Sequence, residues 1–204
     1  MNESVDVNVL LKHSQNDTIR ALLRALDLHG PGEAEHADRV AVYSVATAEA
    51  MGLSDEVLED VQKAALLHDI GKIAIDRSLL RKLGDLTDAD LALLRKHAEM
   101  CEEVLIDLPW LENAVPYVRH HHERFDGGGY PDGLAGDAIP IGARIIAVAE
   151  TYDHLAYGTH YRPPVGTELA THVLRLESGK QFDPVVVEAF LSIEGKVDPL
   201  TSIS

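Results

Sequence analysis

The apolar residues of this chain recur at intervals of three and four almost from end to end, and no stretch alternates convincingly with period two. Side chains three or four apart share one face of a helix, so the pattern predicts helices packed on helices and no sheet. Ile19, Leu22, Leu23 and Leu26 mark a first helix that His29-Gly30-Pro31-Gly32 stops, and Val40 to Met51 a second that Gly52 ends. Ser54 caps a third, with Val57, Val61, Ala64, Ala65 and Leu67 facing inward. Thr87 and Asp90 form a capping-box pattern that opens a helix through Leu91, Leu94, His97 and Val104, stopped by Pro109. Trp110 to His122 reads as another helix, residues 123–139 as loop, and Ile141 to Leu155 as an apolar helix behind Pro140. Two shorter helices are expected after Pro164 and Pro184. The expected fold class is all-α.

Charge and cysteine content narrow the partners. The 204 residues suffice for one domain with its own core, and they carry a formal net charge of -16. Such a chain repels a nucleic-acid polymer or an anionic membrane surface at long range. A small anionic ligand at a bound divalent cation remains compatible, because the ion reverses the local field. Cys101 is the only cysteine and reads as a small buried hydrophobe. With no intrachain disulfide, no basic leader and no apolar run approaching ~18 residues, the expected compartment is the cytoplasm. Residues 1–30 read as an N-terminal helical segment and 31–204 as the domain that carries the chemistry.

Two histidine pairings supply that chemistry. His68-Asp69 falls at the carboxyl end of the third helix, and His121-His122 runs into Asp126-Gly127-Gly128-Gly129-Tyr130-Pro131. Imidazole nitrogen and carboxylate oxygen together suit Fe, Mn, Co or Zn. An adjacent His-Asp pair suits a carboxylate that bridges two ions while the imidazole binds one of them. Lys72, four residues after His68, offers positive charge to a phosphate, and Gly71 between them permits close backbone approach. His36, His97, His121, His122 and Glu150 lie on different segments, as a site in the core of a bundle requires. His13, His29, His154, His160 and His172 read as ordinary core or surface histidines. A purely structural bundle would leave His68, Asp69, His121 and His122 as costly polar groups on apolar helices.

The ordered set of strings AALLHDIGKIAI, Lys96-His97, HHERFDGGGYP, ARIIAVAETYDHL and QFDPVVVEAF, preceded by His36-x-x-Arg39-Val40, resembles the HD-GYP domain. This is a branch of the HD metal-dependent phosphohydrolases that includes bacterial cyclic di-GMP phosphodiesterases. The resemblance covers most of the chain and implies an HD-type multi-helix bundle with a metal site in its core. It implies that His36, His68, Asp69, His97, His121 and His122 are metal ligands, with Glu150 where the family usually places an Asp. Asp153, one turn later, is the alternative to Glu150. Three-metal members use a Glu four residues before the first His; here that position is Gly32, and Glu33 and Glu35 are differently phased. Two divalent ions are therefore expected, iron or manganese first, with zinc or cobalt compatible.

The activity implied is hydrolysis of cyclic di-GMP to pGpG, and onward to GMP, by a hydroxide shared between two metals. Asp69 and Lys72 would be the catalytic pair. Lys72, Asp126, Gly129, Tyr130, Pro131, Arg144 and Arg162 would meet the substrate. The family's second recognition segment usually reads DALTSxRPYR; here it reads DHLAYGTHYR, so Thr159 stands in the place of an arginine while Tyr161 and Arg162 remain. That departure keeps a related cyclic or linear dinucleotide open as substrate. It also keeps open a degenerate module that binds a nucleotide or a partner protein without turnover, and an HD phosphohydrolase acting on another nucleotide. Regulation would come from a separate protein, the redox state of the metal, or self-association into a homo-oligomer through the N-terminal helix.

Overall fold

The computed structural model describes residues 7–82, 85–159 and 162–199; His160 and Tyr161 lie outside them. Among the described residues every regular element is helical, and the only β contacts are isolated bridges between Thr159 and Arg162 and between Ser178 and Phe182. The helices are α1 (Val7–His29), α2 (Glu33–Ala50), α3 (Asp55–Leu67), α4 (Arg77–Leu80), α5 (Asp88–Arg95), α6 (His97–Leu105), α7 (Val115–Arg119), α8 (Ile141–Tyr157), α9 (Thr167–Leu176) and α10 (Pro184–Ile193). No helix among them is long and apolar enough to cross a membrane.

α8 is the axis of the bundle. It buries Ala143, Ile145, Ile146, Val148, Ala149 and Tyr152 in several directions, as a helix apolar nearly all round must. α2, α3, α7, α9 and α10 pack about it, and the second half of α1 adds Ile19, Leu23 and Leu26 to the same core. His29 at the end of α1 is tied by its ring Nε2 to the Ile75 carbonyl at 2.8 Å. The first helix thus braces the segment that follows the His-Asp pair.

Three boundaries differ from the sequence expectation. α2 begins at Glu33, well before Val40, because Glu33 and Glu35 suit the positive end of a helix and Asp27 Oδ1 accepts the Gly32 N–H at 2.8 Å. Polar residues carry that first turn, so apolar periodicity does not report it. The helix expected from Thr87 to Pro109 is divided at Lys96 into α5 and α6, where the His97 ring takes the Leu94 carbonyl at 2.6 Å. The helix expected over Trp110 to His122 is reduced to a 3-10 turn, Pro109–Leu111, and α7, after which His120 and His121 take the carbonyls of Pro116 and Val118. The capping box at Thr87 and Asp90 forms as expected. Ser54 stands at the start of α3 without a side-chain capping bond.

Candidate metal centre

α3 ends on His68, and Asp69 leads into a 3-10 turn, Ile70–Ala74. α6 lies directly on that turn because Gly71 has no side chain: a Cβ there would come within 2.0 Å of the His97 carbonyl oxygen and 2.7 Å of the Cys101 nitrogen. Cys101 Sγ accepts the Gly71 N–H at 3.1 Å and donates to the His68 carbonyl at 3.0 Å. Its thiol is fully buried, and burial pushes its pKa up. Cys101 is therefore a buried filler, as expected, and also pins the His-Asp turn to α6.

One device repeats at three of the histidines. His68 Nδ1 bonds the Ala65 carbonyl at 2.7 Å, His97 Nδ1 that of Leu94 at 2.6 Å, and His121 Nδ1 that of Val118 at 2.6 Å. Each Nδ1 donates to the carbonyl three residues back, which leaves Nε2 as the lone-pair nitrogen. His36 reaches the same state differently, with Nδ1 on Asp153 Oδ2 at 2.6 Å. The Nε2 atoms of His36, His68 and His121 are buried and have no hydrogen-bond partner. Orphaned buried acceptors are costly in a folded protein.

Two of those nitrogens, of His36 and His68, and the Nε2 of His97 lie about Asp69. Its Oδ2 lies 3.2 Å from His68 Nε2 and 3.9 Å from His36 Nε2, and its Oδ1 lies 3.5 Å from His97 Nε2. His97 and His122 bring their Nε2 atoms to 3.1 Å of each other. Such separations suit donors that share an ion ~2.0–2.2 Å from each. Two potential ligand groups, His36-His68-Asp69 and His97-His121-His122, thus meet at one carboxylate. Burial first, and then neighbouring imidazoles, push His121 and His122 well below the usual histidine range, and burial lowers His97 too. Neutral imidazole is the form a metal requires; His68 departs from this, since burial opposes its charge but Asp69 outweighs burial and raises its pKa to about 9, so an ion there would displace its second proton. The donor set fits a divalent transition ion.

Glu150 on α8 faces the same space, 6% exposed, with Oε2 4.0 Å from His122 Nδ1 and Oε1 3.8 Å from His154 Nδ1. Burial lifts its carboxyl to about 7, with His68 and Lys72 opposing and Asp69 reinforcing. Asp153 is occupied elsewhere: besides His36 it accepts Arg39 Nε at 2.6 Å and Nη2 at 3.0 Å. Of the two carboxylates, Glu150 is the one left open to an ion. Lys72 Nζ is held between Asp69 Oδ2 at 2.7 Å and Glu33 Oε2 at 3.0 Å. Glu33, set aside in the sequence for its phase, reaches the site because α2 starts there.

A cavity of about 320 Å³ opens beside these groups, lined among others by Arg95, His122, Arg124, Gly129, Tyr130, Glu150, His154 and Gln181. Tyr130 stacks on His122 with centroids 4.9 Å apart, and the Arg95 guanidinium lies 5.3 Å from the Tyr130 ring centre. Gly129 can bear no side chain, since a Cβ would approach Arg124 N to 2.3 Å. Gly129→Ala is therefore expected to displace the loop at a cost of about 1–3 kcal/mol. Substrate KM should rise with bound metal unchanged, and an unaltered KM would count against a loop that borders substrate.

Several residues expected at the substrate are placed otherwise. Arg144 is tied by Nη1 to Asp183 at 2.6 Å and Asp137 at 2.8 Å, and it does not line the cavity. Asp126 spends its carboxylate on Arg124 and on the Gly128 N–H, shaping the loop from outside. Pro131 follows a cis peptide bond and, like Arg162 and Lys72, is not part of the lining. Arg162 pairs through its backbone with Thr159. Arg95, Arg124 and Gln181 carry no mark in the sequence, and His154, which reads there as an ordinary histidine, also lines the cavity. Their signals are weak, since isolated basic residues are common, although His154 stands at helical spacing from Glu150.

Comparison with known proteins accords with this geometry. A family model described as HD domain matches residues 20–186. A cyclic di-GMP phosphodiesterase response regulator of Xanthomonas campestris pv. campestris is 36% identical over 183 residues, covering 89% of this chain and 48% of the relative. A 3'3'-cGAMP-specific phosphodiesterase of Vibrio cholerae is 33% identical over 191 residues, covering 93% of this chain and 37% of that protein. The chain thus spans about half the length, or less, of these relatives. A solved HDG"Y"P protein from Bdellovibrio bacteriovorus superposes with a TM-score of 0.65 at 23% identity, over 79% of this chain and 52% of that one.

Proposed function

Because this chain belongs to the HD domain family, we propose that its site is a metal-dependent phosphodiesterase centre for cyclic dinucleotides, cyclic di-GMP foremost. The observation that carries this reading is the gathering of the Nε2 atoms of His36, His68 and His97 about Asp69, those of His36 and His68 without hydrogen-bond partners, beside a cavity walled by Tyr130 and arginines. His36, His68 and Glu150 would hold one divalent ion and His97, His121 and His122 a second, with Asp69 shared between them. Iron or manganese is the first assignment, with zinc or cobalt compatible. Such ions supply Lewis acidity, lowering the pKa of water and neutralising phosphate charge.

The chain's own residues do the rest. Asp69 sets the spacing of the two ligand groups and, with Glu33, holds the Lys72 ammonium at their edge. Burial opposes that charge, and the two carboxylates outweigh it, so Lys72 stays protonated and can offset charge on the reacting phosphate. Tyr130, stacked on His122 and with the Arg95 guanidinium over its ring, gives the cavity an aromatic wall for a base, and Gly128-Gly129 let backbone approach the ligand. Arg95 at the cavity draws an anion toward a chain of charge -16, while Arg124 beside it is held by Asp126. The products would be pGpG and then GMP, formed in the cytoplasm.

A related cyclic dinucleotide is the second reading, favoured by Thr159, which brings no guanidinium to the recognition segment. The deciding experiment loads the protein with Mn(II) or Fe(II) and follows cyclic di-GMP, 3'3'-cGAMP, pGpG and mononucleotides by chromatography. Cleavage of cyclic di-GMP is expected to be fastest. Preference for mononucleotides would transfer the site to another nucleotide class, and binding without cleavage by the metal-loaded protein would make it a degenerate module.

A further inference from the structure

We propose that His154 is a further ligand of the metal centre, completing from the cavity side the coordination of the ion assigned to His36 and Glu150; this rests on the metal-site reading above. His154 follows Glu150 by four residues on α8, so the two side chains stand one above the other on one face and form a natural chelate. Its Nδ1 lies 3.8 Å from Glu150 Oε1, too far for a hydrogen bond. Neither ring nitrogen has a hydrogen-bond partner among the described residues. The ring lies flat on His36, centroids 4.5 Å apart and planes within 8°. Parallel imidazoles at that separation can aim their lone pairs the same way.

The donor atoms of His36, Glu150 and His154 all fall within 4.8 Å of one another. Plain packing would leave a buried carboxylate facing an imidazole across a gap that neither closes. A hydrogen bond would need about 1 Å of approach. An ion fills the same gap with both groups where they stand, because two donors each ~2.1 Å from a metal sit ~3.5–4 Å apart at wide angles. Asp153 cannot take this part, being held by His36 and Arg39. The side chain is 31% exposed and borders the cavity, so the ion it binds would be reachable by substrate. A further nitrogen donor also biases this position toward iron, cobalt or zinc over manganese.

The test is a Co(II) titration of metal-free protein, read by visible absorption and by metal analysis after gel filtration. Wild type should show two binding steps. His154→Ala should weaken one step by about tenfold or more, with its d–d bands altered and the other step intact. His154→Gln, which preserves bulk and helix propensity, should give the same loss, and matching metal-free thermal melts would exclude misfolding. If either variant folds and titrates with wild-type affinity and spectrum, the assignment is overturned. If wild type itself takes up no metal, the metal-site reading falls and takes this one with it.

Discussion

Asp69→Ala should lose turnover by about 10³-fold or more, a loss of about 4 kcal/mol in transition-state stabilisation. The size follows from the position of this carboxylate. Both oxygens face imidazole nitrogens, at 3.2, 3.5 and 3.9 Å, and the residue is 2% exposed. Burial opposes its charge, yet Lys72 and His68 outweigh burial and hold its pKa well below the usual carboxylate range. It is thus an anion placed between two histidine groups. Without it the carboxylate nearest both groups is gone, and Lys72 keeps its contact with Glu33. Metal content, measured together with cyclic di-GMP hydrolysis, should fall with turnover. Turnover unaffected by the substitution would remove the catalytic reading.

Asp153→Ala should have the largest effect on stability, about 3–5 kcal/mol. Asp153 is fully buried, and it receives Arg39 through two nitrogens and His36 through one. Truncation leaves the Arg39 guanidinium, only 13% exposed, without its counter-charge. At about 2–4 °C per kcal/mol for a chain of this size, the melting temperature should fall by about 10 °C. The His36 ring also loses the bond that selects its tautomer, so metal affinity should drop even in molecules that stay folded. Acid acts in the same direction. Burial raises the Asp153 pKa, but His36 and Arg39 overcome this and depress it. Its contribution is therefore full above about pH 4, the unfolded carboxylate value, and is lost as pH falls through the lower folded value. A variant that melts with wild type, or one whose acid sensitivity matches wild type, would contradict this role.

How far the site could be read in advance differs residue by residue. His68-Asp69 and His121-His122 announce themselves because the potential donors are adjacent and the helix ends that present them are local. Gly71 is legible for the same reason, a small residue inside an active string. Arg144 and Asp126 mislead because a basic or acidic residue in a recognition segment can equally serve an internal ion pair. Only the positions of Asp183, Asp137 and Arg124 decide which. Glu33 reads as out of phase and His154 as an ordinary histidine because their place depends on where α2 starts and on which face α8 turns inward.

The amino-acid sequence by itself determined the all-α class, the order of most helices and the chemical types of the donors, since helical period, breakers and side-chain identity act over a few residues. Tertiary structure alone decided which nitrogen of each histidine is free and whether Glu150 or Asp153 is left open. It also decided which arginines line the cavity. The physical reason is distance along the chain: His36 and Asp153 are 117 residues apart and His122 and His97 are 25 apart. Their protonation states and aim are set by partners that only packing brings within reach.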